Sequence, residues 1–183
     1  MEEICPEPCA LDIETTGLSL QDKITCVAIV KASCSWVWTF ANEEVKQNSR
    51  QFIQEQLDSA SVIYAYNGGT FDIPFLQREF GYSNETVGKW MMKLVDPLYS
   101  ARALLGYEAC PKLSQVLSLN GIQPKTSSGS EAVLMAQQNR WGELADYCLN
   151  DTTVTFDLLK RDTIVWTHGL KFIPRSKQVW AAR

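Results

Sequence analysis

The chain has 183 residues, 45% of them apolar, with six Trp, which suffices to bury one sizeable core and argues against a disordered or linker-built chain. Seventeen basic and 21 acidic residues leave a net charge of −4 with a single His. That balance argues against a protein held to nucleic acid purely by phosphate neutralisation, but not against nucleic-acid chemistry. The longest apolar runs, such as Val27 to Val30, fall far short of the roughly 20 residues that span a bilayer. Met1-Glu2-Glu3 has neither the basic nor the apolar region of a leader. A soluble, intracellular chain with no membrane partner is expected.

The predicted elements begin with strands. Cys9 to Glu14, Ile24 to Ala32 and Trp36 to Phe40 are rich in Val, Ile, Thr and Trp and are separated by turn material at Gly17-Leu18-Ser19 and Ala32-Ser33, a three-strand meander. A helix is predicted over Glu43 to Leu57, a short buried strand over Ser61 to Tyr66, and a helix over Phe71 to Phe80 with Pro74 in its first turn. A fifth strand is predicted over Lys93 to Asp96. Beyond it the texture is helical to about Trp166, interrupted at Gly106, Pro111, Gly121 to Pro124 and Ser127 to Ser130. The class is therefore α/β. Six Cys in a chain of this length need no disulfide stapling, so reduced thiols are expected. Cys5 and Cys9 lack a second pair to complete a zinc site.

Residues 160–183 carry Lys160, Arg161, Lys171, Arg175, Lys177 and Arg183 against Asp162 alone, +5 in a chain whose remainder is −9. The division drawn is a body over residues 1–169 and a basic tail over 170–183. Either the tail grips nucleic acid, or Phe172, Trp166 and Trp180 pack it on the body; packing is the expectation.

Asp12 and Glu14 alternate with Leu11 and Ile13, so both carboxylates project from one face of the first strand, where Thr15-Thr16-Gly17 ends it. Adjacent carboxylates stay ionised cheaply only with cations between them. With 9 Asp and 12 Glu, chance alone yields about 0.6 such pairs, so the pair needs company. Asp72 near a helix start and Asp151 on a late helix can be aimed at the same strand end. The result is an all-oxygen set suited to Mg²⁺ or Mn²⁺ and unsuited to zinc. Alone, Asp72 reads better as a helix cap and Asp151 as a solvated position; together they favour the metal site. Asp96 closes the fifth strand as a helper carboxylate, a solvated strand end or a cap for the helix at Pro97.

The string Leu11-Asp12-Ile13-Glu14-Thr15-Thr16-Gly17-Leu18 resembles the first motif of the DnaQ-like (DEDD) 3′–5′ exonuclease superfamily. Asn67-Gly68-Gly69-Thr70-Phe71-Asp72-Ile73-Pro74-Phe75-Leu76 is similar to its second motif, in the form found in proofreading domains of family B polymerases. Tyr147-Cys148-Leu149-Asn150-Asp151 looks like the third motif of the DEDDy branch. The alternative DEDDh branch needs a His where this chain has Asp146, and His168, the only His, lies far beyond the motif. The resemblance covers about residues 9–160 and implies a ribonuclease H-like fold: a mixed five-stranded sheet flanked by helices on both sides.

It also implies two divalent cations, Mg²⁺ or Mn²⁺, held by Asp12, Glu14, Asp72 and Asp151, with Tyr147 orienting the attacking water. Thr15, Thr16, Gly17 and Leu18 would meet the last nucleotide, and Asn67 and Phe71 the nucleotide beside the scissile bond. For Gly17 a simple turn and for Phe71 the core stand as equal alternatives. Lys125, placed where related exonucleases carry a loop lysine, reads better as solvated. The activity implied is hydrolysis of terminal phosphodiester bonds, releasing nucleoside 5′-monophosphates from the 3′ end of single-stranded or frayed nucleic acid. DNA is favoured, with RNA also open. A polymerase partner would act in trans. The rivals are a binding module on a nuclease fold, whose mark would be a missing carboxylate, and a ribonuclease H-like endonuclease or transposase.

Overall fold

The computed structural model describes residues 6–19, 21–105, 110–123, 129–167, 170–174 and 179–181. Strands β1 (Cys9–Thr15), β2 (Ile24–Lys31) and β3 (Ser35–Thr39) form the antiparallel meander, and β4 (Ile63–Tyr64) and β5 (Leu94–Val95) extend the sheet in parallel on the other side of β1. The order β3-β2-β1-β4-β5 places β1 at the centre. Helix α1 (Glu43–Ser59) connects β3 to β4, and α2 (Asp72–Phe80) and α3 (Asn84–Lys93) connect β4 to β5. After β5 come α4 (Pro97–Leu105), α5 (Leu113–Leu119), α6 (Gly129–Gln137) and α7 (Trp141–Leu159). This is an RNase H-like domain, a mixed sheet flanked by the seven helices of the described residues. None of those helices is long and apolar enough to cross a membrane.

The period-2 alternation of β1 decides what each side of the sheet contains. Cys9, Leu11 and Ile13 pack with Val27, Ile29, Ile53 and Leu57 and with Ile73, Phe75 and Leu76 of α2. On the opposite face of β2, Cys26 and Ala28 pack against Leu144, Tyr147 and Cys148 of α7. Asp12 and Glu14 fall on this second face. The small side chains at Cys26 and Ala28 let α7 lie close over the sheet, above the strand that carries the two carboxylates.

Three features differ from expectation. Helix α3 replaces a featureless link before the fifth strand: the Ser83 hydroxyl caps it by accepting from the Thr86 amide, and Trp90 is buried beneath it. The helical texture ends at Leu159, not near Trp166, because Ile164–Val165 form strand β6. It pairs antiparallel with β7 (Lys171–Ile173), which pairs with β8 (Val179–Ala181). The predicted boundary at residue 170 thus falls inside a small sheet. Phe172 is 0% exposed, in a cluster with Leu158, Leu159, Ile164 and Trp166, which favours packing over a free tail; Arg175, Lys177 and the Trp180 side chain lie outside the described residues. Phe172→Ala is expected to destabilise by roughly 3–5 kcal/mol, seen in a thermal melt as a fall of about 10 °C. A melting temperature unchanged from wild type would restore the free-tail picture.

Candidate active site

At the carboxyl end of β1 the pairing with β2 slips by one residue between Glu14 and Thr15, a β-bulge at the strand end that carries the two carboxylates. Asp12 and Glu14 are half-buried there. Burial pushes the Asp12 carboxyl well above the usual carboxylate range, and the charges of Glu14, Asp72 and Asp151 push it further. The four carboxylates singled out in the sequence therefore converge on one electrostatic neighbourhood. Asp72 arrives from the start of α2, 3% exposed. Burial raises it to about 7, assisted by the charge of Asp96 and opposed by hydrogen bonds from its own backbone amide and that of Ile13. Its Oδ1 is buried without a hydrogen-bond partner.

Helix α7 supplies three side chains, Tyr147, Cys148 and Asp151. Tyr147 and Asp151 lie one turn apart, and the Tyr147 hydroxyl donates to the Asp151 carboxylate. Burial first, then the negative charges of Asp151 and Glu14, hold that phenol protonated far above its ordinary range. Between them, the Cys148 thiol donates to the Asp12 backbone carbonyl at 3.7 Å and to its carboxylate at 3.9 Å. The Cys148 sulfur and one oxygen each from Asp12 and Glu14 lie within 4.8 Å of one another. Burial keeps this thiol protonated, so the ionised donors of the cluster are carboxylate oxygens. The sequence identified Cys148 only as a motif spacer; its position one residue after Tyr147 puts it on the sheet-facing side.

The segment between β4 and α2 is held by Asp96, which is 0% exposed. Asp96 Oδ1 accepts from the amides of Asn67, Leu98 and Tyr99, and Oδ2 from Gly69, each at 3.0 Å. It is therefore both the cap of α4, whose first residue is Pro97, and the anchor of the loop leading to Asp72. Asn67 takes a left-handed conformation with φ of 75°. Its Oδ1 accepts from Thr70 Oγ1 and from Arg102 Nη1 of α4. Arg102 gave no signal in the sequence, because this contact joins residues 35 apart.

In the β1–β2 turn, Thr15 is buried and donates to the Gly17 carbonyl, while Thr16 donates to Asp22 and accepts from the Lys23 amide. Both hydroxyls thus close the turn. A Cβ on Gly17 would come within 2.6–2.9 Å of the Asp22 carboxylate, the movable end of a side chain. Leu18 is 88% exposed. Phe71 packs on Phe75 with the rings tilted and their centroids 4.7 Å apart, as its core reading expects, and it also lines a cleft of about 350 Å³. That cleft runs from Glu14 past Thr15, Gly17 and Leu18 to Gly129, Ser130 and Val133 of α6. The α6 wall was seen in the sequence only as a Ser/Gly interruption. Lys125 and His168 lie outside the described residues.

Residues 9–163 match the model of the RNase H superfamily, and the chain belongs to that superfamily. No curated protein sequence matches it significantly. Among solved structures, the family B DNA polymerase from the hyperthermophilic archaeon Pyrobaculum calidifontis aligns with a TM-score of 0.64 over 85% of this chain at 17% identity. The chain spans 24% of that polymerase, and the likeness is one of fold.

Proposed function

We propose that the chain is a metal-dependent 3′–5′ exonuclease of the DEDDy kind, hydrolysing terminal phosphodiester bonds of single-stranded or frayed nucleic acid, with DNA the favoured substrate. The observation that carries this reading is that Glu14, Asp72 and Asp151 all act by charge on the buried Asp12 carboxyl, with Tyr147 bonded to Asp151. Buried like charges are costly unless a cation joins them. The orphaned Oδ1 of Asp72 and the protonated state of Cys148 fit hard, oxygen-seeking ions. Asp12, Glu14, Asp72 and Asp151 are the residues that would hold two Mg²⁺ or Mn²⁺ ions. When bound, such ions supply an acidified water, neutralisation of the phosphate and stabilisation of the leaving 3′ oxygen.

The chain's own side chains do the rest. The Tyr147 hydroxyl, kept protonated, orients water instead of taking its proton. The apolar cleft beside Glu14, walled by Leu18, Phe71 and Val133, receives the terminal nucleoside, and the exposed Leu18 side chain is free to lie against it. Asn67 and Phe71 contact the neighbouring nucleotide by hydrogen bonding and stacking. A polymerase acting in trans is the partner most in keeping with such an activity.

The deciding experiment is a time course on 3′-labelled and 5′-labelled DNA and RNA oligonucleotides with Mg²⁺, Mn²⁺ or EDTA. A ladder growing from the 3′ end, abolished by EDTA, is expected; internal cuts would point to an endonuclease, and inert substrates to a binding module. Tyr147→Phe is expected to lower kcat by about 10²-fold while the metal-induced rise in melting temperature persists. Full turnover in that variant would assign water orientation to another group.

A further inference from the structure

We propose that Arg102 is a positioning residue for nucleotide recognition, fixing the Asn67 side-chain amide so that its N–H donors, and not its carbonyl, face the substrate. The inference rests on the exonuclease reading and assigns a direction to one of its contacts.

Arg102 Nη1 donates to Asn67 Oδ1 at 2.5 Å and to Thr70 Oγ1 at 2.8 Å, and Thr70 Oγ1 passes its own hydrogen to Asn67 Oδ1 at 2.5 Å. A guanidinium has five donors and no acceptor. The amide atom turned toward it must therefore be oxygen, which removes the usual ambiguity between the two ends of an Asn side chain. Nδ2, with two hydrogens, is the group left pointing away from this triangle, and Asn67 makes no further side-chain hydrogen bond among the described residues.

The main chain is fixed from the same side. Asp96 accepts from the Asn67 amide and holds it at a φ of 75°, a conformation that Asn tolerates better than most residues. The segment 96–102 thus sets the Asn67 backbone with its first residue and the Asn67 side chain with its last. A donor pair held this rigidly at the start of the loop leading to Asp72 recognises a ligand atom with lone pairs and no hydrogen. In a nucleotide adjoining the scissile bond that atom is a non-bridging phosphate oxygen or an acceptor on the base.

The test is steady-state hydrolysis of single-stranded oligonucleotides by the full chain. Arg102→Met, similar in length but without donors, is expected to raise KM about 10-fold with kcat little changed, and Arg102→Lys to recover most of the loss. Asn67→Asp keeps an oxygen for Arg102 but turns an acceptor outward, and should lose at least as much as Asn67→Ala. Combining Arg102→Met with Asn67→Ala should add nothing to Asn67→Ala alone, because Arg102 acts through Asn67. Additive losses, or Asn67→Asp with the wild-type KM, overturn the proposal. A methylphosphonate at the linkage before the terminal one should erase the difference between wild type and Asn67→Ala if the acceptor is phosphate. An abasic penultimate residue should do so if it is the base, and a difference that survives both modifications overturns the donor assignment. Independently of any turnover, the Asn67 side-chain NH₂ should be rigid by ¹⁵N relaxation in wild type and mobile in Arg102→Met. Equal mobility overturns the role of Arg102 even if wild type hydrolyses nothing, whereas an inactive wild type with the expected loosening sinks only the exonuclease reading.

Discussion

Asp12→Ala is expected to reduce hydrolysis by more than about 10³-fold while leaving the metal-free protein at least as stable as wild type. The two effects have one cause. Asp12 is raised by burial and by Glu14, Asp72 and Asp151, so removing it deletes a costly charge and relieves its neighbours. The sign with pH follows. Asp72 titrates at about 7 in the folded chain, whereas an unfolded Asp releases its proton near ~3.9. Between those values the folded state holds a proton that the unfolded state has lost, so Asp72 makes metal-free stability decline as pH rises from about 4 to about 7, and the raised Asp12 carboxyl adds to that decline. In Asp12→Ala that decline should be smaller. Added Mn²⁺ reverses the trend in wild type by mass action on the folded state and should do little for the variant. Melting curves at pH 5 and pH 8, with and without Mn²⁺, check all of this at once. A variant with wild-type hydrolysis would remove this cluster from the chemistry.

Asp96→Ala is expected to be the most damaging single change outside the apolar core. Four amides at 3.0 Å lose a fully buried acceptor; the bond from Leu98 is buried and those from Asn67, Gly69 and Tyr99 are half-buried. A lost cap costs about 1 kcal/mol and each stranded buried amide about 1–3 kcal/mol. Allowing for relaxation and water entry, a loss of roughly 3–5 kcal/mol is expected, or about 10 °C in melting temperature. Asp96→Asn, which keeps the oxygen serving three of the four amides, should lose much less. Hydrolysis should fall in Asp96→Ala even at temperatures where the protein stays folded, because the loop that aims Asn67 and leads to Asp72 has lost its anchor. Activity per folded molecule equal to wild type would confine Asp96 to a stabilising role.

The parts of the site written in local sequence were legible there. Alternation at Leu11 to Glu14 fixes two carboxylates on one face, and the four-residue spacing from Tyr147 to Asp151 fixes a helix face, since both depend only on backbone periodicity. The strands of the central sheet were legible where five or more residues kept a β-rich pattern. The two-residue β4 and β5 were legible only as short apolar stretches within Ser61 to Tyr66 and Lys93 to Asp96, whereas β6, β7 and β8 were hidden by the helical texture before Trp166 and the basic charges after it. The cap of α3 is local, Ser83 with the Thr86 amide three residues on, but a lone Ser is a weak signal beside the apolar runs that flank it. Asp96 offered several environments and no local means of choosing between them: its bonds to the Leu98 and Tyr99 amides are local, but those to Asn67 and Gly69 acquire meaning only once β4 and β5 lie side by side. Arg102 and the α6 wall reach the site across tertiary distance, which a single sequence does not encode in its spacing.

The site lies where two separately packed cores abut. Asp72 travels with the layer that holds Ile73, Phe75 and Leu76, Tyr147 and Asp151 travel with α7 on the far side of the sheet, and Asp12 and Glu14 stand in the partition between them. A slide of one layer past the sheet by an ångström or two would leave both interiors packed and yet pull the carboxylates out of reach of one another. Correct seating of the two layers is therefore a condition for the four carboxylates to meet. Whatever ligand the four carboxylates share would rivet those halves together.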